Sequence, residues 1–484
     1  MSAEDIVFWA KARPDAVALE HGGTQLSYAH AAAALINMTA ALSAPALTSR
    51  KLIGVASGDP VIELLVLMAF EALGIATLPF VQPTDPNIAM ALRYCDLIAS
   101  QEAVPGYPGP FMALSQAWTK SMFGPAKQSE LILRRGPLNQ LIHVFTTSGS
   151  SGAAKGIRFN REVKEARVRA RLWQYGLEAK SRLLIAMPPS TSSGFFVAEA
   201  AFRVGATVLM FDHQDPERYL QQATHMIILP LHLRALCERI RSRPRQGPRC
   251  KVFVVGATLS HDMRALASAT LNAEVVEAYG TTETAWLAEI TESAVGEILP
   301  TVRLQVVDDA GGVLPVGAVG EIRARTPEMG LGYLDDAQTA SSFRDGWYYT
   351  GDLGRMRSNG RIEVLGRRDH LMNLGGIKVS PELIEDILAP LFLARDLAAC
   401  SIADAHGIEQ LIIVCADPAH RLAALNEQIT RVLGNNLGVI SIAFVNHIPR
   451  TANGKVQRAA LTHQIRQQLA HAEPSARQLD AGLP

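Results

Sequence analysis

The segment Val144-Phe-Thr-Thr-Ser-Gly-Ser-Ser-Gly-Ala-Ala-Lys-Gly156 has the residue types needed to hold a chain of phosphates. Its glycines let the backbone approach an anion closely and adopt positive φ. Successive N–H groups in such a loop form an anion nest. Thr146, Thr147, Ser148, Ser150 and Ser151 add hydroxyl donors around Gly149 and Gly152, and Lys155 adds a point charge. The Walker A spacing is absent, because Lys155 follows Ala154 and precedes Gly156, and no Gly-x-Gly-x-x-Gly fingerprint occurs. Taken alone, the segment also suits a flexible turn.

Four further segments carry chemistry. In Ala278-Tyr-Gly-Thr-Thr-Glu-Thr284, Tyr279 offers a flat face for a base and Thr282 can donate to a phosphate. Glu283 supplies the oxygen ligand that a hard cation such as Mg²⁺ prefers. A hydroxyl-rich turn is the plainer reading of that stretch. In Trp347-Tyr-Tyr-Thr-Gly-Asp-Leu-Gly-Arg355, Asp352 stands between glycines, where its carboxylate can accept from two ribose hydroxyls or serve as a strand-turn aspartate. The other two are Gly366-Arg-Arg-Asp-His-Leu-Met-Asn-Leu-Gly-Gly-Ile-Lys-Val379 and Pro449-Arg-Thr-Ala-Asn-Gly-Lys-Val-Gln-Arg458. The second of these places Lys455 in an Asn-Gly-Lys turn.

The elements that must position these residues read as α/β. From about residue 50 to 330, short β-branched runs alternate with helical patterns. Strands are expected at Leu52–Ala56, Ile75–Phe80, Leu141–Thr146, Leu183–Met187, Ala206–Phe211, Met226–Leu229, Val252–Val255 and Glu274–Glu277, with helices such as Arg161–Leu177, Leu231–Arg241 and Asp262–Thr270 between them. Such alternation predicts parallel βαβ layers, whose ligands bind beyond the carboxyl ends of strands. Both the glycine loop and the Tyr279–Glu283 segment follow a strand. Val302–Val307 and Glu321–Arg325 read as two strands of a small antiparallel or barrel-like subdomain. Ser380 and Pro381 read as an N-cap and first helical residue. We expect a large N-terminal domain over 1–368, a small mobile α+β C-terminal domain over 369–470, and a disordered tail over 471–484.

Composition excludes several classes. Of 484 residues, 46 are Lys or Arg and 46 are Asp or Glu, so the net charge is zero and gives no footprint for nucleic acid. The basic run from Arg239 to Arg249 reads as a helix end entering a solvated loop. Cys95, Cys237, Cys250, Cys400 and Cys415 are odd in number and widely spaced, without a Cys-x-x-Cys, so neither a disulfide framework nor a zinc site is expected. His143, His213 and His370 do not cluster at metal-ligand spacing and are taken as structural. The acidic start lacks the basic n-region of a signal peptide. The most apolar window, Val61 to Phe80, is interrupted by Glu63, Glu71 and Gly74, and reads as a buried helix and strand rather than a membrane span. Reduced thiols point to a cytoplasmic location.

In this order and spacing, the five segments resemble the adenylate-forming superfamily: acyl-CoA synthetases, aryl-acid ligases, luciferases and the adenylation domains of nonribosomal peptide synthetases. The resemblance covers roughly Leu52 to Leu461, including Gly332-Tyr333 through Phe343 and Asp345-Gly-Trp347. It implies that Thr146 to Lys155 orients the β- and γ-phosphates of ATP. Gly256 and Ala257, with Tyr279 and Gly280, would border the adenine. Thr282 would touch the α-phosphate and Glu283 would ligate Mg²⁺. Asp352 and Arg367 would hold the ribose, and Asp369 would be the hinge. Gly375, Gly376 and Lys378 would lie on the loop that reaches the site in the second half-reaction. Lys455 would bridge carboxylate and phosphate during adenylation.

The implied chemistry suits these residue types. A carboxylate is a poor electrophile, and ATP converts it to an acyl-adenylate and pyrophosphate. Mg²⁺ and the Lys455 ammonium would offset the repulsion of the two anions brought together. A thiol then attacks, of coenzyme A by default or of the phosphopantetheine arm of a separate acyl carrier protein. Because Lys455 would occupy the thiol's place, the small domain would have to rotate about Asp369.

The sequence departs from the family pattern at Met187-Pro-Pro-Ser-Thr-Ser-Ser-Gly-Phe-Phe196. Many relatives carry an aromatic residue or histidine near this point, and amino-acid-activating relatives an aspartate. The small neutral residues here are expected to suit a fatty or aromatic acid and argue against an α-amino acid. No carrier domain follows within the chain. A degenerate relative that binds nucleotide without chemistry is the competing class, and retention of Lys455, Glu283 and Asp352 speaks against it. Nothing specific supports a luciferase-like oxygenase.

Overall fold

The computed structural model describes all residues except Met1, 82–91, 148–154, His213, 257–258, Ser260, Ser293, Leu371, 375–376, 389–396, 404–408, 417–428, 430–439, 451–455 and 472–484. It is a mixed α/β structure with a large N-terminal domain and a smaller C-terminal one.

Two sheets carry the large domain. The smaller has the order Phe111–Ala113, Leu97–Ser100, Leu52–Ala56, Ala76–Pro79, Leu141–Thr147, Lys155–Asn160. Its strands run parallel except the last, which folds back antiparallel so that Thr147 faces Lys155. The strands on either side of the glycine loop therefore pair with each other rather than starting a crossover. The larger sheet has a parallel half, Ala273–Thr281, Cys250–Val255, His225–Ile228, Arg182–Ile185, Thr207–Met210 and Val17–His21. It continues past Ala273–Thr281 as an antiparallel limb through Ala285–Glu292, Val295–Ile298, Ile362–Arg367, Trp347–Met356, Gly320–Arg325 and Arg303–Val307.

The expected alternation is present with shifted ends. The Arg161–Tyr175 helix starts on Asn160, whose side chain accepts from Val163 N, and stops at Gly176 in the left-handed region. The strand expected to end at Glu277 runs to Thr281, because Tyr279 to Thr281 pair with Ala285 to Ala288 in a tight hairpin. Only Thr282–Thr284 form the turn.

The apolar window is a helix, Pro60–Ala72, capped by Asp59, which accepts from Val61 N and Ile62 N. It is buried on nearly every side between the sheets, which explains its continuous hydrophobicity. Gly74, at φ +70°, turns the chain into Ala76–Pro79. No helix among the described residues is long and apolar enough to cross a membrane. One core cluster joins both sheets through side chains such as Ile53, Leu65, Phe145, Phe159, Ile185, Phe195 and Phe196. Within it lies a charged group: Lys164 bonds Glu71, and Glu199 at 3.1 Å. His143, fully buried, bonds Thr77 at 2.8 Å and lies 3.6 Å from Glu71.

The basic run differs from a wholly solvated loop. Arg245 is buried and donates to the carbonyls of Leu220, Ala223 and Pro248, closing that loop on the sheet. None of the five cysteines is joined in a disulfide.

In the C-terminal part, Leu397–Ala403, Glu409–Cys415 and Ile440–Phe444 form one sheet and Met372–Leu374 with Ile377–Val379 a hairpin. These pack with the Pro381–Leu388 and Arg458–His471 helices around their own cores. Arg458 ties the two helices by bonding Glu382 at 2.8 Å and Glu385 at 2.7 Å.

Candidate active site

Alternation along the Trp347–Met356 strand puts Tyr348, Thr350 and Asp352 on one buried face. Asp352 faces Arg367 across the ladder. Its carboxylate accepts from the Tyr279 hydroxyl at 2.8 Å and from Arg367 Nη1 at 3.4 Å, while the same Nη1 donates to Thr350 O at 2.6 Å. Burial first, and the Asp352 charge second, push the Tyr279 phenol well above its ordinary range, so it stays a donor. Gly351 has φ +72°, and a Cβ there would come within 2.9 Å of Arg367 Nη2. Only glycine lets the guanidinium lie against that turn.

The Thr282–Thr284 turn is held from behind. Arg167, from the Arg161–Tyr175 helix, is 2% exposed. It donates to Thr282 O at 2.8 Å, Glu283 O at 3.1 Å and Glu328 O at 2.8 Å, with its guanidinium 4.4 Å above the Phe159 ring. Gly330 N donates to Glu283 O at 2.7 Å. Fixing the carbonyls leaves the Thr282 and Glu283 side chains to face forward. Gly280 permits the hairpin, since a Cβ there would lie 2.0 Å from Ala285 O.

The two halves meet through tyrosines. Tyr333 donates to Glu283 Oε1 at 2.8 Å, and Lys155 Nζ stands 5.1 Å from the centre of its ring. Tyr333 is locked to the glycine-loop hairpin by Ile157 and by the bonds Arg158 N to Gly332 O and Leu334 N to Gly156 O. Tyr348 lies against Tyr333; burial first, then the Glu283 charge, then Tyr333 and last the Asp352 charge raise its pKa.

Tyr279, Asp352 and Arg367 are thus linked to one another, and Tyr333 links Lys155 to Glu283; Gly256, Gly280 and Thr282 lie at or just beyond the carboxyl ends of their strands. Thr146 and Thr147 end the strand entering the glycine loop, opposite Gly156 and Lys155. Gly256, at φ +95°, follows Val255, which is in register with Ala278 beside Tyr279. Ser148, Gly149, Ser150, Ser151, Gly152, Ala257, Gly375, Gly376 and Lys455 lie outside the described residues, as do the side chains of Asp369 and Lys378. The flanks of Lys455 are joined by a bridge between Arg450 and Val456. Asp369 falls in a 3-10 turn, Arg368–His370. Arg368 grips Asp309 and Glu321 of the antiparallel limb, while His370 lies 3.4 Å from Glu382 of the C-terminal part.

Sequence reasoning missed Arg167, Tyr333 and Tyr348 as site residues. A signal existed for Arg167: with Val163, Lys164 and Arg171 it occupies the buried stripe of its helix, where an unpaired charge does not belong. Tyr348 shares the period-two face of Asp352.

Residues 101–334 match the family described as AMP-binding enzyme. The probable non-canonical nonribosomal peptide synthetase CymA of Salinispora arenicola is 26% identical over 94% of this chain. The medium-chain fatty-acid–CoA ligase of Escherichia coli is 26% identical over 68% of it. The chain spans 6% of the first relative and 62% of the second. The crystal structure of ATP-bound MatB from Rhodopseudomonas palustris superimposes with a TM-score of 0.82 at 21% identity, over 97% of this chain and 100% of that one, a likeness of fold. Fold, the AMP-binding match over 101–334 and the relatives agree with the five motifs in their likeness to the adenylate-forming superfamily.

Proposed function

We propose that the chain is an ATP-dependent, AMP-forming acid–thiol ligase. The observation that carries this reading is the convergence of Lys155, Tyr333, Glu283, Tyr348, Asp352, Tyr279 and Arg367 in one connected set.

Asp352 has acceptor capacity beyond its bonds to Tyr279 and Arg367, because a carboxylate offers about four lone-pair sites. That capacity receives the ribose hydroxyls of ATP. Tyr279, beside Gly256, supplies the surface for the base. Thr282 donates to the α-phosphate, and Lys155 with the glycine loop takes the outer phosphates. Among the described residues no three His, Cys, Asp or Glu side chains converge to hold a metal. Mg²⁺, which prefers oxygen ligands, would be held by Glu283 together with the substrate's phosphates. Mg²⁺ would neutralise charge developing between carboxylate and phosphate. Lys455, carried in by the C-terminal domain, supplies the second positive charge. The acid enters already ionised, so no general base is needed. Positioning of the two reactants contributes on the order of 7–11 kcal/mol in favourable cases.

We place the domain boundary at 368/369, with 369–470 as the mobile C-terminal domain and Asp369 as its hinge. Rotation there removes Lys455 and brings the loop with Gly375, Gly376 and Lys378 to the adenylate, where a thiol displaces AMP. Coenzyme A is the acceptor on the side of the E. coli relative. A carrier-protein phosphopantetheine is the alternative, favoured by the alignment with CymA along 94% of the chain.

The test is acid-dependent ATP–pyrophosphate exchange, followed by thioester formation with coenzyme A or a carrier protein. Lys455→Ala should abolish exchange and leave thioester formation from a supplied acyl-adenylate largely intact. Equal loss of both half-reactions would remove Lys455 from its adenylating role.

A further inference from the structure

Glu63 is a buried carboxyl to which adenylation itself gives no task. It lies in the first turn of the Pro60–Ala72 helix, 4% exposed, and its Oε1 has no hydrogen-bond partner. Facing it is Ser190, 5% exposed, whose Oγ is also without a partner. Among the described residues no Lys or Arg pairs with Glu63. A carboxylate so placed is costly to ionise. Burial, offset by the Ser190 hydroxyl and reinforced by Asp59, keeps its pKa well above the ordinary carboxyl range.

The topology puts this pair at the carboxyl ends of the two sheets. The Pro60–Ala72 helix leaves the carboxyl end of Leu52–Ala56, in the sheet whose parallel Leu141–Thr147 strand opens into the glycine loop. Ser190 follows the carboxyl end of Arg182–Ile185, in the sheet that carries Gly256 and the Thr282–Thr284 turn at the same ends. The carboxyl ends of both sheets therefore meet where Glu63 faces Ser190. Phe195, just beyond Ser190, packs 4.5 Å from His143 and 5.8 Å from Phe145, on the strand entering the glycine loop. From the strand bearing Glu283's turn to the strand before Ser190 there are three strand spacings, about 14 Å.

We propose that Glu63, with Ser190 beside it, is the specificity-determining residue for the acid and receives an ammonium group that the acid carries. The assignment rests on the adenylation reading above and makes the substrate an amino acid. The segment Pro188–Phe196 has no aspartate; the carboxylate comes instead from another helix. An ammonium supplies the missing charge to Glu63, and the Ser190 hydroxyl accepts a second N–H. An acid with only a hydrocarbon tail leaves both groups unsatisfied, and sites built to bond a substrate N–H discriminate strongly against analogues without it.

The experiment measures ATP–pyrophosphate exchange by the full chain with matched pairs, each an amino acid and the same skeleton lacking the amino group: ornithine and valerate, phenylalanine and phenylpropionate, alanine and propionate. The expected result is a preference of at least tenfold in kcat/KM for one ammonium-bearing member, residing mainly in KM. Glu63→Gln should reduce that preference by tenfold or more, and Glu63→Asp, which keeps the charge, should retain part of it. Thermal melts of each variant establish that it folds. Preference for neutral acids, or a preference unchanged in Glu63→Gln, would overturn the assignment and leave adenylation standing. Exchange with no acid at all would overturn both.

Discussion

Replacing Arg167 tests whether the Thr282–Glu283 turn is held from behind. Arg167→Met keeps the apolar stem against Phe159 and Phe196 but removes donors to three carbonyls, those of Glu283 and Glu328 buried and that of Thr282 partly buried. Glu283 O keeps the Gly330 N–H, so the carbonyls of Thr282 and Glu328 bear the loss. An unmet buried acceptor costs roughly 1–3 kcal/mol, giving about 2–6 kcal/mol for two. The guanidinium itself is strained by burial, which, against the Glu328 charge, lowers its pKa to about 9. Relief of that burial offsets part of the loss, so about 2–3 kcal/mol is expected. Urea unfolding measures this. The turn also loses its fixed direction, so the KM for ATP in pyrophosphate exchange should rise by about tenfold. Arg167→Lys restores the charge but not the fork that reaches three acceptors, and should rescue only part. A Met variant within about 0.5 kcal/mol of the parent, with unchanged KM for ATP, would refute the reasoning.

Two further outcomes concern buried charge. Lys164→Met strands Glu71 and Glu199 in the core and should cost about 3–5 kcal/mol by urea unfolding. In the parent, burial raises the Glu71 pKa, but Lys164 and then His143 more than offset it and hold it below 4.5. That stabilisation is present above 4.5 and is lost as pH falls through the folded value. Lys164 is raised above 10.5 because Glu199 and Glu71 overcome its burial, so its share is complete below 10.5 and is lost as pH rises through the folded value. A Lys164→Met protein with the same acid limb would contradict this pairing. Glu63→Gln should stabilise the free protein increasingly as pH rises. Above 4.5 the unfolded chain ionises Glu63 while the folded one keeps its proton, a loss of up to about 1.4 kcal/mol per pH unit until the folded pKa is passed. Melts at about pH 5 and about pH 8 read the difference, and equal shifts at both would argue for an ionised Glu63.

The fold class was legible because its signals are local. A βαβ alternation, an apolar window broken by Gly74 and a helix starting at Arg161 each act within a few residues. The hairpin return after the glycine loop was not, since Lys155–Asn160 resembles a crossover start until it pairs with Leu141–Thr147.

The same division holds for the site. Sequence alone determined the chemistry on offer: a phosphate loop, Thr282 and Glu283 in one short turn, and Asp352 between glycines. Each is a type-and-spacing pattern within a dozen residues. Only the tertiary structure decided that Tyr279 bonds Asp352, that Tyr333 joins Lys155 to Glu283, that Arg167 grips the turn, and that Glu63 meets Ser190. Periodicity states which face of an element is buried, not which partner covers it. Local spacing suggested a pocket of small neutral residues; sheet packing set a carboxyl against it from a distant helix, and burial without a partner is what gives that carboxyl a task.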